Sequence, residues 1–449
     1  MTVVEETASG TAETTILQRG LQTVVTLAES GLFDEYVVYE DRGRWVFAGG
    51  VVARIVLQPD VVTTTFGSGE PTVRRWSGSP SAALREACDG LTRESWNAYG
   101  FVGFGFAAHL HDAIAESDSE SDEVLAHLVV PRVEVEFGHD CDDVEVTGSD
   151  EDRAAVLAVL TAASVEEPPT VHSIDVGGDL DDYRARVAQA VEEIHRGDYG
   201  KVILSRTVRI PFALDMPGTY RAGRAANTPA RSFLLHLGDL RAAGFSPELV
   251  ASVDEDGVVI TEPLAGTRAF GLGSDADSAA KSDLEQDPKE ITEHAVSVRT
   301  SFEELESIAH PGSTAVSDFM SVRERGSVQH LASTVRARLR ADLSCWDAFG
   351  ALFPAVTASG IPKREAIEAI GRLDDSRGLY SGAVVKASST GELEAALVLR
   401  AVYEQRGSSW LRAGAGIVGQ STPDREFDET CEKLASVAPY LVRKKEEDA

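Results

Sequence analysis

The feature that most limits the architecture is a series of short β-branched, apolar runs in the second half of the chain, broken irregularly by helical segments. "KVILSRTVRIPF", "RSFLLHLG", "ELVASV", "GVVITEPLAG", "YSGAVVKAS", "EAALVLRAVY" and "SWLRAGAGI" all read as buried strands. Helices are expected from Asp182, where Tyr183, Val187, Val191 and Ile194 recur at helical spacing before "HRGDYG", and from Asp287, near Gly326, near Lys363 and from Thr422. Strands outnumber helices and the two do not alternate strictly. That excludes a helical bundle, disfavours a doubly wound fold, and points to α+β with large, mostly antiparallel sheets. Up to about residue 160, "EYVVYE", "RWVFAGGVVARIVL", "VEVEFG" and "DDVEVTG" mix with the helical "SAALREACDGL", so residues 16–165 form an α+β half. Residues 1–15 are expected to be a disordered tail, the acidic "ESDSESDE" a solvated loop, and residues 164–182 a connection to a second half spanning 180–445. The length suits one large domain or two ordinary ones.

Charge narrows the function classes. Forty-two basic residues against 73 acidic ones give a net charge of −31. Affinity for a phosphate backbone comes from Lys and Arg displacing counterions, so nucleic acid is excluded as a partner. A small anion would need local cations or a metal to offset the surrounding field. The N-terminus has no basic segment followed by an apolar one, and the most apolar run, "FVGFGFAAHLHDAIA", is broken by glycine and histidine. A soluble, cytoplasmic protein without membrane attachment is expected. Cys88, Cys141, Cys345 and Cys431 show no metal-binding spacing and read as reduced thiols.

Two stretches carry paired carboxylates, "DPKEITEHAV" with Glu290 and Glu293, and "TPDREFDETCEK" with Glu426 and Glu429. Asp287 and Pro288 make Glu290 a candidate capping-box residue, and the stripe of Glu426, Glu429 and Lys433 has the ordinary reading of a solvated face. Neither capping nor the helix dipole explains Glu293 or Glu429, which lie beyond the first turn. Two helices each offering a pair suit one hard cation, and magnesium accepts one or two carboxylates together with substrate oxygens. A di-iron bundle would need two Glu-x-x-His elements, and only Glu192 with His195 has that spacing. Arg400 interrupts the apolar "AALVLRAVY" and needs an anionic partner, structural or bound. Gly414 and Gly416 in "RAGAGIVGQS" allow close approach of backbone to a carboxylate. Lys201, at the head of a buried strand, either snorkels to the surface or is desolvated and available as a base. Metal, arginine, lysine and acid together suggest chemistry on a small polycarboxylate.

The ordered set "GDYGKVILSR", "FSPELVAS", "TEPLAGTRAFG", "KEITEHAVSVR", "FMSVRERGSVQHL", "LFPAVTASGIPK", "RGLYSGAV", "LRAGAGIVGQS" and "REFDETCEKL" resembles the chorismate-utilising enzymes, and within them most closely the salicylate synthases of siderophore pathways. The match is dense from about residue 180 to 443. The resemblance implies a single large α+β domain, two antiparallel β-sheets packed in the core with helices outside, both halves of the chain sharing it. It implies that Glu290, Glu293, Glu426 and Glu429 serve a Mg²⁺ ion, with Lys433 beside it. It makes Gly266, Thr267, Tyr380, Arg400, Gly414, Gly416 and Lys433 substrate-binding, and Lys201, Glu248, His330 and Thr357 catalytic. Lys201 would activate water against ring carbon C2, and Glu248 would protonate the departing C4 hydroxyl. The implied reaction takes chorismate through isochorismate to salicylate and pyruvate, by a monomer without a glutaminase subunit. The alternatives are an isochorismate synthase that stops at the first step, an ammonia-using anthranilate-type synthase, which Lys201 disfavours, and a non-catalytic cation-binding protein.

Overall fold

The computed structural model describes residues 17–91, 95–113, 123–139, 141, 143–163, 167–325 and 328–445. The expected tail at 1–15 and all but the last residue of the acidic loop at 116–123 lie outside them. Alternation along the strands shows how the layers are stacked. On Tyr36–Asp41, Val37 and Tyr39 face one core while Tyr36 and Val38 face another. On Ala383–Ser388, Val384 joins the core of Val37 and Tyr39, whereas Ala383 and Val385 belong to a third. A strand with both faces buried lies between two layers. The order is therefore helices, a ten-stranded sheet, an apolar seam, a twelve-stranded sheet and more helices.

Both sheets draw on both halves of the chain, and among the described residues every strand pair is antiparallel. The ten-stranded sheet joins Tyr36–Asp41 and Arg44–Gly49 to Lys201–Arg209, Arg231–Leu237 and Ser408–Ile417. The twelve-stranded sheet joins Asn97–Val102 and Ala126–Val130 to Leu249–Val253, Val328–Arg338 and Leu393–Leu397. The architecture is a single α+β domain. No helix of the described residues is long and apolar enough to cross a membrane.

Two expectations fail in instructive ways. "EAALVLRAVY" is two strands: Leu393–Leu397 lies in the twelve-stranded sheet, Ala401–Gln405 in the ten-stranded one, and Arg400 stands at the corner with φ of 50°. Gly326 itself lies outside the described residues, and no helix starts among the described residues on either side of it: Ala315–Arg325 and Val328–Arg338 are antiparallel partners. The helices from Tyr183, Pro288, Lys363 and Pro423 are present. Met216–Ala226, Ser274–Gln286 and Cys345–Leu352 are helices the pattern did not announce.

One buried carboxylate ties the elements around the end of the ten-stranded sheet. Asp374, just past the helix Lys363–Leu373, has a fully buried side chain. It accepts from Arg186 Nη1 at 2.6 Å, Ser205 Oγ at 2.7 Å and Arg377 Nη2 at 2.8 Å, while Arg412 Nη2 lies 3.6 Å away. Those partners come from the helix Tyr183–Arg196, two adjacent strands and the loop before Tyr380. Removing one member of such a network leaves buried guanidinium groups uncompensated. Asp374→Ala should lose about 3–5 kcal/mol in urea unfolding, and an unchanged midpoint would refute the assignment.

Candidate active site

Parity along the Lys201–Arg209 strand creates the site. Val202 and Leu204 face a helix-covered core, so Lys201 and Ile203 face the other way, into a cavity. Their partner strand places Gly416 opposite Ile203 and Gly414 opposite Ser205. A Cβ at Gly414 would stand 2.9 Å from the Tyr380 hydroxyl, and one at Gly416 would stand 3.2 Å from Lys201 Cε. Glycine is required there because the site uses the room. The twelve-stranded sheet supplies Gly266, Thr267 and His330 to the same cavity, and the two acidic helices close it. Every candidate residue named from the sequence lines it except Glu426, which is buried behind the wall.

On one side sits an acid that burial keeps protonated. Glu248 is 4% exposed, and loss of water pushes its carboxyl up to about 8. The Thr357 hydroxyl, donating to Glu248 Oε1 at 2.6 Å, and the charge of Lys201 pull in the opposite direction without prevailing.

His330 was expected to be catalytic, but both of its ring nitrogens are engaged. Nδ1 lies 2.8 Å from the carbonyl of Gly266, which can only accept, so Nδ1 carries the proton. Nε2 is then an acceptor, and it takes the Nη2 of Arg400 at 2.6 Å. Burial first, and the Arg400 charge second, hold the imidazole down at about 3, so it stays neutral. In this geometry it holds the Arg400 guanidinium by that hydrogen bond. Gly266 can present its carbonyl because it adopts φ of 63° at an irregularity in the strand pairing. Arg400 itself has no carboxylate partner among the described residues, and burial lowers it to about 10. The structural ion pair considered for it is absent, which leaves the guanidinium for an anion in the cavity.

The carboxylate pairs face basic groups. Lys201 Nζ donates to Glu293 at 2.6 Å, Lys433 Nζ to Glu429 at 2.8 Å and to the Gly414 carbonyl at 2.9 Å, and Arg268 reaches Glu290 at 3.4 Å. Glu290 makes no capping box; Asp287 alone caps that helix. Among the described residues no three carboxylate, imidazole or thiol groups gather closely enough to form a metal cage. The donors nevertheless fit a hard cation that also takes ligand oxygens. Glu426 Oε2 is buried without a partner. Burial, with Glu293 as neighbour for Glu290 and Glu429 for Glu426, raises both carboxyls, the sign of negative charge short of a counter-ion. At Glu429, Lys433 overcomes burial and holds the carboxyl low.

Sequence reasoning missed four basic residues on the wall: Arg268, Lys289, Arg412 and Arg425. A signal was available for Lys289, because the chain has only eight lysines and three of them, Lys201, Lys289 and Lys433, line this cavity.

Comparison with known proteins matches residues 35–439 to the model of the chorismate binding enzymes. The chain is 50% identical over 413 residues to a salicylate synthase of Mycolicibacterium paratuberculosis, covering 91% of this chain and 90% of the relative. It is 33% identical over 440 residues to anthranilate synthase component 1 of Haloferax volcanii, covering 90% and 84%. Among solved structures, anthranilate synthase component I from Streptococcus pneumoniae superposes with a TM-score of 0.74 at 25% identity, over 88% of this chain and 92% of that one.

The Glu248 carboxyl should therefore be protonated at neutral pH and ionise near 8, as read from its infrared carbonyl band with Glu248→Gln as the blank. The Thr357 hydrogen bond favours the ionised form, so Thr357→Val should move the transition to higher pH. A carboxyl already ionised at pH 6 would overturn the assignment.

Proposed function

The chain belongs to the chorismate binding enzymes, and from that premise we propose that it converts chorismate to salicylate and pyruvate through isochorismate. The observation that carries this reading is a base candidate and a protonated acid on one cavity, Lys201 and Glu248, close enough for the lysine charge to act on the carboxyl. In the first step Lys201 takes a proton from water as the oxygen bonds to ring C2. The ring double bonds shift, and the C4 hydroxyl leaves as water with the proton of Glu248. The two groups need opposite protonation states, and burial of Glu248 supports its half of that requirement. In the second step the hydrogen on C2 moves to the enolpyruvyl methylene while the bond from C3 to oxygen breaks. Pyruvate departs and the ring becomes aromatic.

Arg400, steadied by His330, takes the enolpyruvyl carboxylate, with the Tyr380 hydroxyl and the space over Gly414 and Gly416 beside it. Thr357 orients Glu248 through their hydrogen bond. Magnesium, when bound, supplies the charge that receives the ring carboxylate; Glu290, Glu293, Glu426 and Glu429 would hold it. The oxygen nucleophile is water, so neither ammonia nor a glutaminase subunit is needed. We read the protein as a cytoplasmic monomer whose salicylate serves siderophore biosynthesis. The 50% identity to a salicylate synthase supports the complete two-step reaction over one that stops at isochorismate.

Incubation of purified protein with chorismate and Mg²⁺, without ammonia or a partner, should yield salicylate and pyruvate in equal amounts. Isochorismate alone would restrict the chain to the first step. Lys201→Ala should lower turnover by about 10²–10⁴-fold, and Glu429→Ala should lower activity and raise the magnesium requirement together; normal turnover in the former removes Lys201 as the base.

A further inference from the structure

A strongly acidic chain that takes up a dicarboxylate must offer positive charge that is not already spent. Most of the cations lining the cavity are committed. Lys201 is held by Glu293, Lys433 by Glu429, Arg268 by Asp283 and Asp287, and Arg425 by Glu432. Arg412 is buried and donates to Ser205 and two main-chain carbonyls. Among the described residues two lining cations have no carboxylate partner: Arg400, deep beside His330, and Lys289, which is exposed.

Lys289 is the second residue of the helix Pro288–Ile308, one position before Glu290. Its charge lowers the carboxyls of Glu290 on its own helix and of Glu426 and Glu429 on the facing one. The ammonium therefore stands within electrostatic reach of both acidic helices, where an incoming anion meets the most repulsion. The chain supplies positive charge almost everywhere as arginine, with eight lysines among its 42 basic residues. An ammonium on a flexible stem suits a group that meets a ligand and then lets it pass, whereas a forked guanidinium suits one that keeps it.

We propose that Lys289 is the capture residue of this site, the mouth cation that first receives a carboxylate of the dianionic substrate and offsets the acidic helices until Arg400 takes hold at depth. The inference rests on the reading of the substrate as chorismate. A plain solvated lysine at a helix start would be indifferent to the substrate.

The test is kcat/KM for chorismate with saturating Mg²⁺, measured from low to high ionic strength, for the wild type and for Lys289→Met, Lys289→Glu and Lys289→Arg. At low salt the Met variant should lose about tenfold in kcat/KM, the Glu variant more, and the Arg variant much less. KM should change more than kcat, and the differences should shrink as salt screens the charge. If the wild type turns over chorismate while Lys289→Glu keeps the same kcat/KM and the same salt dependence, the capture role is wrong and the functional reading stands. If the wild type makes no product from chorismate, the functional reading falls and the inference falls with it.

Discussion

The buried carboxylate of Asp374 is the constraint on which the catalytic end depends. A lone anion inside a protein is costly, and this one is tolerated because arginines from three segments and the hydroxyl and amide of Ser205 converge on it. Ser205 is four residues from Lys201 on the same strand, and Arg412 is two residues from Gly414 on its neighbour. Arg377, held in turn by Asp374, precedes Tyr380 and lies against its ring, as Arg412 does. The register that brings base candidate, glycine gap and phenol together is thus fixed by charge pairing at one end of the same strand faces, next to the cavity.

Burial then gives each group in the cavity a distinct state. Without water Glu248 stays protonated, His330 stays neutral, and Arg400 stays charged yet unpaired. Burial favours the neutral form of all three, and it yields a neutral acid and a neutral acceptor, while Arg400 keeps its charge because the guanidinium is so strong a base. The order matters as well: the Gly266 carbonyl sets the tautomer of His330, and the tautomer sets the place of Arg400. A glycine in the left-handed region is in this way connected to the Arg400 guanidinium through two hydrogen bonds.

Much of this was legible from residues alone. Short β-branched, apolar runs announced the strands, proline after aspartate or threonine announced the helices of the acidic pairs, and the ordered motifs led to residues that share one cavity. What was hidden is what depends on distance. Nothing local in "AALVLRAVY" shows that the chain changes sheets at Arg400, because both flanks are apolar and both become buried strands. Lys201 and Glu293 are 92 residues apart, so their contact follows from tertiary packing and has no local sign. The protonation state of His330 depends on a carbonyl 64 positions away. The pairing of Ala315–Arg325 with Val328–Arg338 was missed because the polar sequence around Gly326, flanked by mixed residues, resembles a helix start.

The placing of the lysines also bears on how the protein is handled. Reagents that attach dyes, beads or surfaces through primary amines usually scatter over a protein's exterior. Here the exterior is built from acids and arginines, and three of only eight side-chain amines stand around one cavity, one of them exposed at its edge. Of the exposed lysines among the described residues, Lys281, Lys289, Lys444 and Lys445, one stands at the opening, so protection of the Lys289 amine from acylation is a footprint of whether that opening is filled.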